Sequence, residues 1–367
     1  MTAIIHGLAP LGIPLWPVGH LPLKWISLRK WSGGAGMKMI PYRCWLEDDS
    51  MRQASLIEAL IDPRLGSNER LSRVDALIDW SPIEAIVRKL RHGSQGRPPY
   101  DALKMIKALY LQALYDLSDP GLEAALLDRL SFRRFCGLAL DEATPDETTI
   151  LRFRHDASET QAMQACFAEI NRQLEAKGLM LKKGTLMDAT LVAATHNPPK
   201  IAAGPGAVHP REPGASWTKK NGRSHFGYKA HIGMDQHSGL VRRAVLTGAK
   251  IYESEVADQL ISWDERAVYG DKAYPQKARR AALKQAGIKD RIAKRRHKSE
   301  PPLSRRQQRR NDLIARDRAP VEGVFSQMKR FYGWSRTRCH TLARNAADLF
   351  AILTVFNLKR AVQLLTT

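Results

Sequence analysis

At 367 residues the chain is long enough for two hydrophobic cores, and its 44% hydrophobic and 26% charged residues are those of a soluble globular protein. With 58 Lys+Arg against 37 Asp+Glu, a formal charge of +21, its natural partner is a polyanion, either nucleic acid or an acidic membrane surface. No window of about 18 uninterrupted apolar residues marks a membrane span, and Cys44, Cys136, Cys166 and Cys339 form no CxxC pair, which argues against a zinc site and against a disulfide framework and suits a reducing cytoplasm.

Residues 1–50 are poorly defined. The first 40 are apolar and rich in Pro and Gly, with Pro10, Pro14, Pro17 and Pro22 breaking any signal-like run, and they read as a poorly ordered tail with Met37, Met39 and Met51 as alternative starts. From about Leu56 to Gly178 the pattern is helical. Tyr100–Tyr115 places Leu103, Ile106, Tyr110 and Leu114 on one stripe. Asp119-Pro120 reads as an N-cap and N1 pair, Thr144–Glu147 as a capping box with Pro at N1, and Ser158 with Gln161 as another before a helix that stops at Gly178. Short helices with basic tips such as Arg133, Arg134 and Arg154 suit either a DNA-binding helical domain or a plain bundle with a solvated basic face.

After Gly184 the period changes. Leu186–Ala194 reads as a first strand; His225–Asp235 alternates, with Phe226, Tyr228, Ala230, Ile232 and Met234 on one side and His225, Lys229, His231 and Asp235 on the other. The turn QHSG leads to a partner strand near Leu240–Thr247. A helix over Glu253–Ile261, a short strand ending at Asp271, a helix over Lys277–Ala286 and a strand over Ile288–Ile292 follow. Ala293–Arg310 reads as an exposed basic loop or arm, Asn311–Gly333 as helical apart from Pro320, and Ala346–Leu365 as an apolar terminal helix. The result is a mixed α/β sheet with helices on its faces. From Asp271 to Arg338 there are 21 Lys/Arg against 6 Asp/Glu, so most of the excess charge sits in one fifth of the chain.

Three carboxylates stand out. Asp188 lies inside an apolar strand, where an unpaired charge is costly; Asp271 closes a later strand; Glu322 lies on a basic helix. Each alone reads equally as a cap, a turn or a solvated residue. Together they suit phosphodiester chemistry, in which two divalent ions roughly 4 Å apart neutralise the attacking and leaving oxygens and are held by carboxylates. Arg318, Glu322 and Lys329, at i, i+4 and i+11, share a helical face and read either as an ion-pair ladder or as a metal ligand flanked by phosphate-binding cations. His225 and His231 share a strand face, with His237 six residues on; a metal site is conceivable, strand-surface and turn positions more ordinary. AAGPGAVHPREPGAS reads as a flexible loop. Trp217 and Trp334 suit stacking on a flipped base or simple packing.

RAPVEGVFSQMKRFYG resembles the R-x-x-x-E-x-x-x-x-x-x-K part of the Y-R-E-K motif of bacterial DDE transposases. GTLMDATLVAAT, HFGYKAHIGMD and VYGDKAY are similar to the blocks around their first and second catalytic Asp. RPPYDALKMIKALYLQALYDLSDPGLEAALLDRL and LDEATPDETTILRFRH look like the helical N-terminal domain of the insertion-sequence-five group. The resemblance spans roughly Met51 to Leu365. It implies a helical DNA-binding domain over 51–180 and a ribonuclease-H-like catalytic domain over 181–367. Asp188, Asp271 and Glu322 would be the catalytic, metal-holding triad, with two Mg2+ (Mn2+ substituting), and Arg318 and Lys329 would contact DNA. It further implies terminal inverted repeats as substrate, end cleavage, joining of 3′-hydroxyls to double-stranded target DNA, a homodimer on DNA and a bacterial, nucleoid-associated cytoplasmic setting. A stand-alone metal-dependent nuclease and a transposase-derived regulator without catalysis are the alternatives. The motif's Tyr position is Ala315 here, and Pro320 must start or kink the helix.

Overall fold

The computed structural model describes residues 66–90, 99–196, 209–296 and 299–366; the tail over 1–50 lies outside them. Helices come first: α1 (Glu69–Leu77), α2 (Ser81–Val87), α3 (Ala102–Tyr115), α4 (Asp119–Asp128), α5 (Leu130–Cys136), α6 (Glu147–Glu159) and α7 (Ala162–Ala176). The α3 stripe is in fact a whole circumference. Residues Met105 to Ala113 are all buried, because α2, α4, α5, α6 and a C-terminal helix surround α3. Its buried polar groups are matched: Lys107 Nζ donates to Asp75 at 2.7 Å and Gln112 Nε2 to Asp119 at 2.7 Å.

The caps fall one or two residues from their sequence positions. Ser118 rather than Asp119 caps α4, accepting from the Gly121 amide at 3.1 Å; Asp119 is thereby left to pair with Arg154. Asp146 rather than Thr144 caps α6. Ser158 is still inside α6, donating to the His155 carbonyl, and the break before α7 is made by Gln161 at φ 55. Ser118 and Asp146 reach free amides of the first turn with their side chains, whereas Gln161 makes no side-chain cap. Two of the three "basic tips" point inward: Arg133 is buried and bonds Thr144 Oγ1 and the Ala139 and Glu142 carbonyls, and Arg154 holds Asp119 and Gln112.

The sheet is built on β3 (Arg223–Asp235). β1 (Thr185–Ala193) pairs antiparallel with it from Thr185↔Asp235 to Ala193↔Gly227. β4 (Val241–Gly248) lies on its other side from Tyr228↔Gly248 to Met234↔Val241, and β2 (Ser216–Lys220) extends the pairing past Gly227. β5 (Ala267–Gly270) joins β1 in parallel and β6 (Lys289–Ile292) joins β5 in parallel. β3 is buried on both sides, so the polar alternation of His231 and Asp235 does not mark solvent. Both are fully buried; Asp235 accepts from Lys182, Ser238 and Ser238 Oγ, and His231 Nε2 meets Thr247 Oγ1 at 3.0 Å.

Helices cover both faces. α8 (Glu253–Leu260) and α9 (Lys277–Gln285) pack with Met187, Val268, Tyr274 and Ile292 on one face. On the other, Leu186, Val192, Tyr228, Ala230 and Ile232 meet Val321, Val324, Phe325 and Met328 of α10 (Arg305–Phe331) and the apolar side of α11 (Leu342–Thr366). α10 starts well before the sequence suggests. Ser304 and Gln307 form a reciprocal capping box, and Arg310 donates to the Asp290 and Ile292 carbonyls, so the last third of the basic arm is helix. The helix runs through Pro320 rather than starting there.

α11 is long and apolar enough to cross a membrane by length and composition, with a mean hydropathy of 1.4 despite the interruptions at Asn345, Thr354 and Asn357. Here it is a core helix. Leu349 to Leu358 are buried against α3, α6, α7 and β4. Asn357 Nδ2 donates to Val241 O (2.7 Å) and Asn171 Oδ1 (2.8 Å), while the Val241 amide donates back to Asn357 Oδ1 (2.9 Å), joining helices to the edge of the sheet. Residues Ala54–Thr367 group as one compact unit.

Candidate active site

Parity along β1 decides where Asp188 points. Successive side chains alternate faces; Leu186 and Val192 face α10, Met187 faces α8 and α9, so Asp188 faces α10. β5 adds the second carboxylate. Leu186 pairs with Tyr269 in parallel register; two residues further on stand Asp188, within β1, and Asp271, one residue past the end of β5. Asp271 follows the last residue of β5, where its Oδ1 accepts from the Ala273 amide at 2.8 Å and fixes the turn.

α10 brings the rest. Val321, Val324, Phe325 and Met328 anchor its buried side, and Arg318, one turn before Glu322, reaches Asp188. Arg318 Nη2 lies 3.1 Å from Asp188 Oδ1, and Arg318 Nε lies 3.4 Å from the Met187 carbonyl; the two side chains are 11% and 18% exposed. Burial pushes the Asp188 carboxyl above its ordinary value, Arg318 opposes this, and the charges of Asp271 and Glu322 push it up further. Asp188 thus feels the charges of Arg318, Asp271 and Glu322 together. Glu322 itself is exposed.

Lys329, two turns on, belongs to a neighbouring cleft of about 470 Å³ lined by Thr190, Trp217, Lys220, His225, Phe226 and Arg336 among others. Burial, and then the charge of Lys220, lower the Lys329 ammonium below its ordinary value. Trp217 is half-exposed there, tilted on Phe226 at 5.4 Å, whereas Trp334 is buried in the core.

The matching family models are "Transposase DDE domain", over residues 180–358, and "Transposase domain (DUF772)", over residues 59–156. Together they span about three quarters of the sequence. The chain belongs to the DDE transposases. A cryo-EM structure of the piggyBac transposase synaptic complex with hairpin DNA shares 11% identity, covering 80% of this chain and 73% of that one, at a TM-score of 0.36, a likeness too weak to inform the site.

Near the transposase carboxylates lie residues the sequence did not single out. Glu253, the first residue of α8, is partly buried and paired with Lys229 Nζ at 3.8 Å; burial, then the charge of Asp271, raise its carboxyl, and Asp188 adds to the rise. Tyr274 is fully buried with no partner for its hydroxyl among the described residues, and burial followed by Glu253, Asp188 and Asp271 raises the phenol well above 10. A Glu opening a helix after a strand carries no local signal for this role. The histidines resolve differently from their spacing. Burial lowers the His231 ring to about 3, so it stays neutral, and His225 lies in the cleft. The histidines that do converge are His196 and His340, on Glu212. Glu212 is fully buried, although its neighbours Arg211 and Pro213 in the expected flexible loop are exposed.

Proposed function

We propose that this transposase binds the terminal inverted repeats of an insertion sequence, cleaves the ends and joins their 3′-hydroxyls to target DNA at Asp188, Asp271 and Glu322. The observation that carries the reading is the parallel β1–β5 register, which sets Asp188 beside Asp271, with Glu322 of α10 acting on the same carboxylate. An antiparallel β4–β3–β1 run continuing into parallel β5 and β6, with helices on both faces, supports a ribonuclease-H-like catalytic domain over 181–367.

The donor set fits a hard divalent cation: three carboxylates, no thiol and no imidazole. Asp188, Asp271 and Glu322 would hold two Mg2+, with Mn2+ substituting. When bound, the ions supply charge neutralisation on the attacking and leaving oxygens. The chain's own residues do the rest. Arg318 favours the charged form of Asp188 and orients it, and a phosphate entering the cleft offsets the mutual repulsion of Lys220 and Lys329. Arg318 thus acts first on Asp188 and only through it on DNA; Lys329 is the direct phosphate contact.

The helical segment over 51–180 supplies recognition of the ends, through exposed residues such as Arg129 and Arg152 rather than Arg133 or Arg154. Synapsis of two ends requires a homodimer on DNA, in a bacterial cytoplasm close to the nucleoid. The test is Asp271→Ala. Cleavage of an end-containing duplex falls to background while duplex binding changes less than about twofold; equal cleavage by variant and wild type removes the assignment. Joining of cleaved ends to a second duplex distinguishes transposition from simple nuclease action.

A further inference from the structure

Three distant stretches meet beyond the end of β1. The chain leaves β1 and reaches His196. The turn after α10 pairs with the same strand end, the Ala193 amide donating to Ser335 O at 3.2 Å and the Thr337 amide to Ala193 O at 2.8 Å, and so delivers His340. The segment before β2 folds back through a His209↔Glu212 bridge and buries Glu212 completely. His196 Nδ1 lies 3.3 Å and His340 Nδ1 3.9 Å from the same Glu212 oxygen, Oε1. The two imidazole rings are 4.6 Å apart, and all three ligand atoms fall within 4.8 Å of one another.

Glu212 is a fully buried carboxylate whose ion-pair partners, among the described residues, are these two imidazoles and no Lys or Arg. Tyr228 donates to Oε2 at 2.7 Å and the His196 amide to Oε1 at 3.2 Å. These bonds orient the carboxylate but bring no positive charge, and neutral imidazoles bring lone pairs rather than charge. Burying a charge without a counter-charge is costly. We propose that His196, Glu212 and His340 form a second metal site, for a divalent transition-metal ion of the zinc class. Zinc bonds of about 2.0–2.1 Å in a tetrahedral site set ligand atoms about 3.4 Å apart, so the 3.3 and 3.9 Å separations to Glu212 lie within about half an ångström of that value, and the two imidazole nitrogens, within 4.8 Å of each other, close by up to about 1.4 Å. His196 also lines the cleft beside Lys329.

Two imidazoles and one carboxylate favour zinc over magnesium, whereas the three carboxylates at Asp188 favour the reverse. The site clips the end of β1, the segment before β2 and the turn after α10 together. Its Tyr228 bond fixes the carboxylate from behind, as outer-shell partners do in zinc sites.

The experiment uses tag-free, full-length protein stripped of metal and kept in excess Mg2+. Zn2+ is titrated against a chromophoric chelator, and Co2+ substitution is followed by its visible spectrum. Wild type and Asp271→Asn bind one equivalent of zinc with equal affinity, and Co2+ gives the intense bands of a four-coordinate site. His340→Ala, a truncation at a solvent-exposed ring that leaves the fold intact, and His196→Ala each weaken zinc binding at least tenfold. Zinc affinity unchanged in both histidine variants, zinc lost in Asp271→Asn, or only the faint spectrum of six-coordinate cobalt overturns the proposal.

Discussion

Arg318 Nη2 stands 3.1 Å from Asp188 Oδ1, so the carboxylate at the centre of the proposed metal site is already matched by a cation of the chain itself. Removing Arg318 leaves that carboxylate buried without a partner. Arg318→Ala is expected to cost about 1–3 kcal/mol of stability in metal-free buffer, and clearly less when Mg2+ is saturating. Urea unfolding in the two buffers measures both values. The same loss in each would separate Arg318 from the metal site.

Burial raises the Asp188 carboxyl above 3.8. A raised carboxyl keeps its proton to higher pH, and a cation must displace that proton, so Mg2+ binding weakens as pH falls toward the raised value. In the metal-free chain the sign is separate. The folded pKa lies above the unfolded one, so this group favours the folded state at low pH and that contribution is lost as pH rises through the folded value. The Mg2+ concentration giving half the maximal thermal shift should increase several-fold between about pH 8 and about pH 5, near the carboxylate range. A midpoint independent of pH would place the ions elsewhere.

Asn357 satisfies both backbone groups of Val241 while bonding Asn171. Asn357→Ala strands buried partners on a helix and a strand at once and should cost roughly 2–4 kcal/mol. Because helices and sheet share one core, calorimetry should show one transition moved down, not two transitions separated. Two would mean that the helical segment unfolds alone.

Gly227 has φ 155, and a Cβ there would run into the Val192 carbonyl oxygen and stand 2.7 Å from the Ala194 amide. Gly227→Ala should destabilise by about 2–4 kcal/mol through the broken β1–β3 pairing. Gly287→Ala, at φ 69 with open space around it, should cost only about 1–2 kcal/mol. Denaturant midpoints compare the two. Equal losses would show that the backbone at Gly227 yields.

Lys329→Ala should weaken binding to duplex of any sequence and lower the slope of log K against log salt by about one, read by fluorescence anisotropy across a salt series. An unchanged slope would remove Lys329 from the phosphate contacts.

Strand and helix order after Gly184 was legible because β1 and β5 are short apolar runs and β3 alternates with period two, patterns that do not depend on their neighbours. Asp188 was legible for the same reason: a carboxylate among Leu186, Met187, Leu191 and Val192 needs explaining wherever the strand lies. Residues whose role depends on tertiary neighbours were not legible. Arg133 and Arg154 look like surface charges until Thr144 and Asp119 are placed beside them. Trp334 suits stacking as well as packing until the fold places it in the core. Glu212 sits in a Gly- and Pro-rich run that disguises its burial, and His340 lies 128 residues downstream, beyond any local spacing rule. The start of α10 was missed because its charge resembles a loop, while Ser304 and Gln307 carry the capping signal.

α10 is held at both ends by the sheet: near its start by Arg310 and Asn311, which bond carbonyls of Asp290, Ile292 and Lys294, and beyond its end by Ser335 and Thr337, which bond the end of β1. Between those two moorings the residues are counted out by the helical repeat. Inserting or deleting one residue there turns everything on one side of the change by about 100° relative to the other, so either Glu322 leaves the carboxylates or Lys329 leaves the cleft. Viable length variants of this enzyme should therefore fall in the Gln236–Gly239 turn or ahead of Ser304, and the stretch from Asn311 to Trp334 should behave as a ruler.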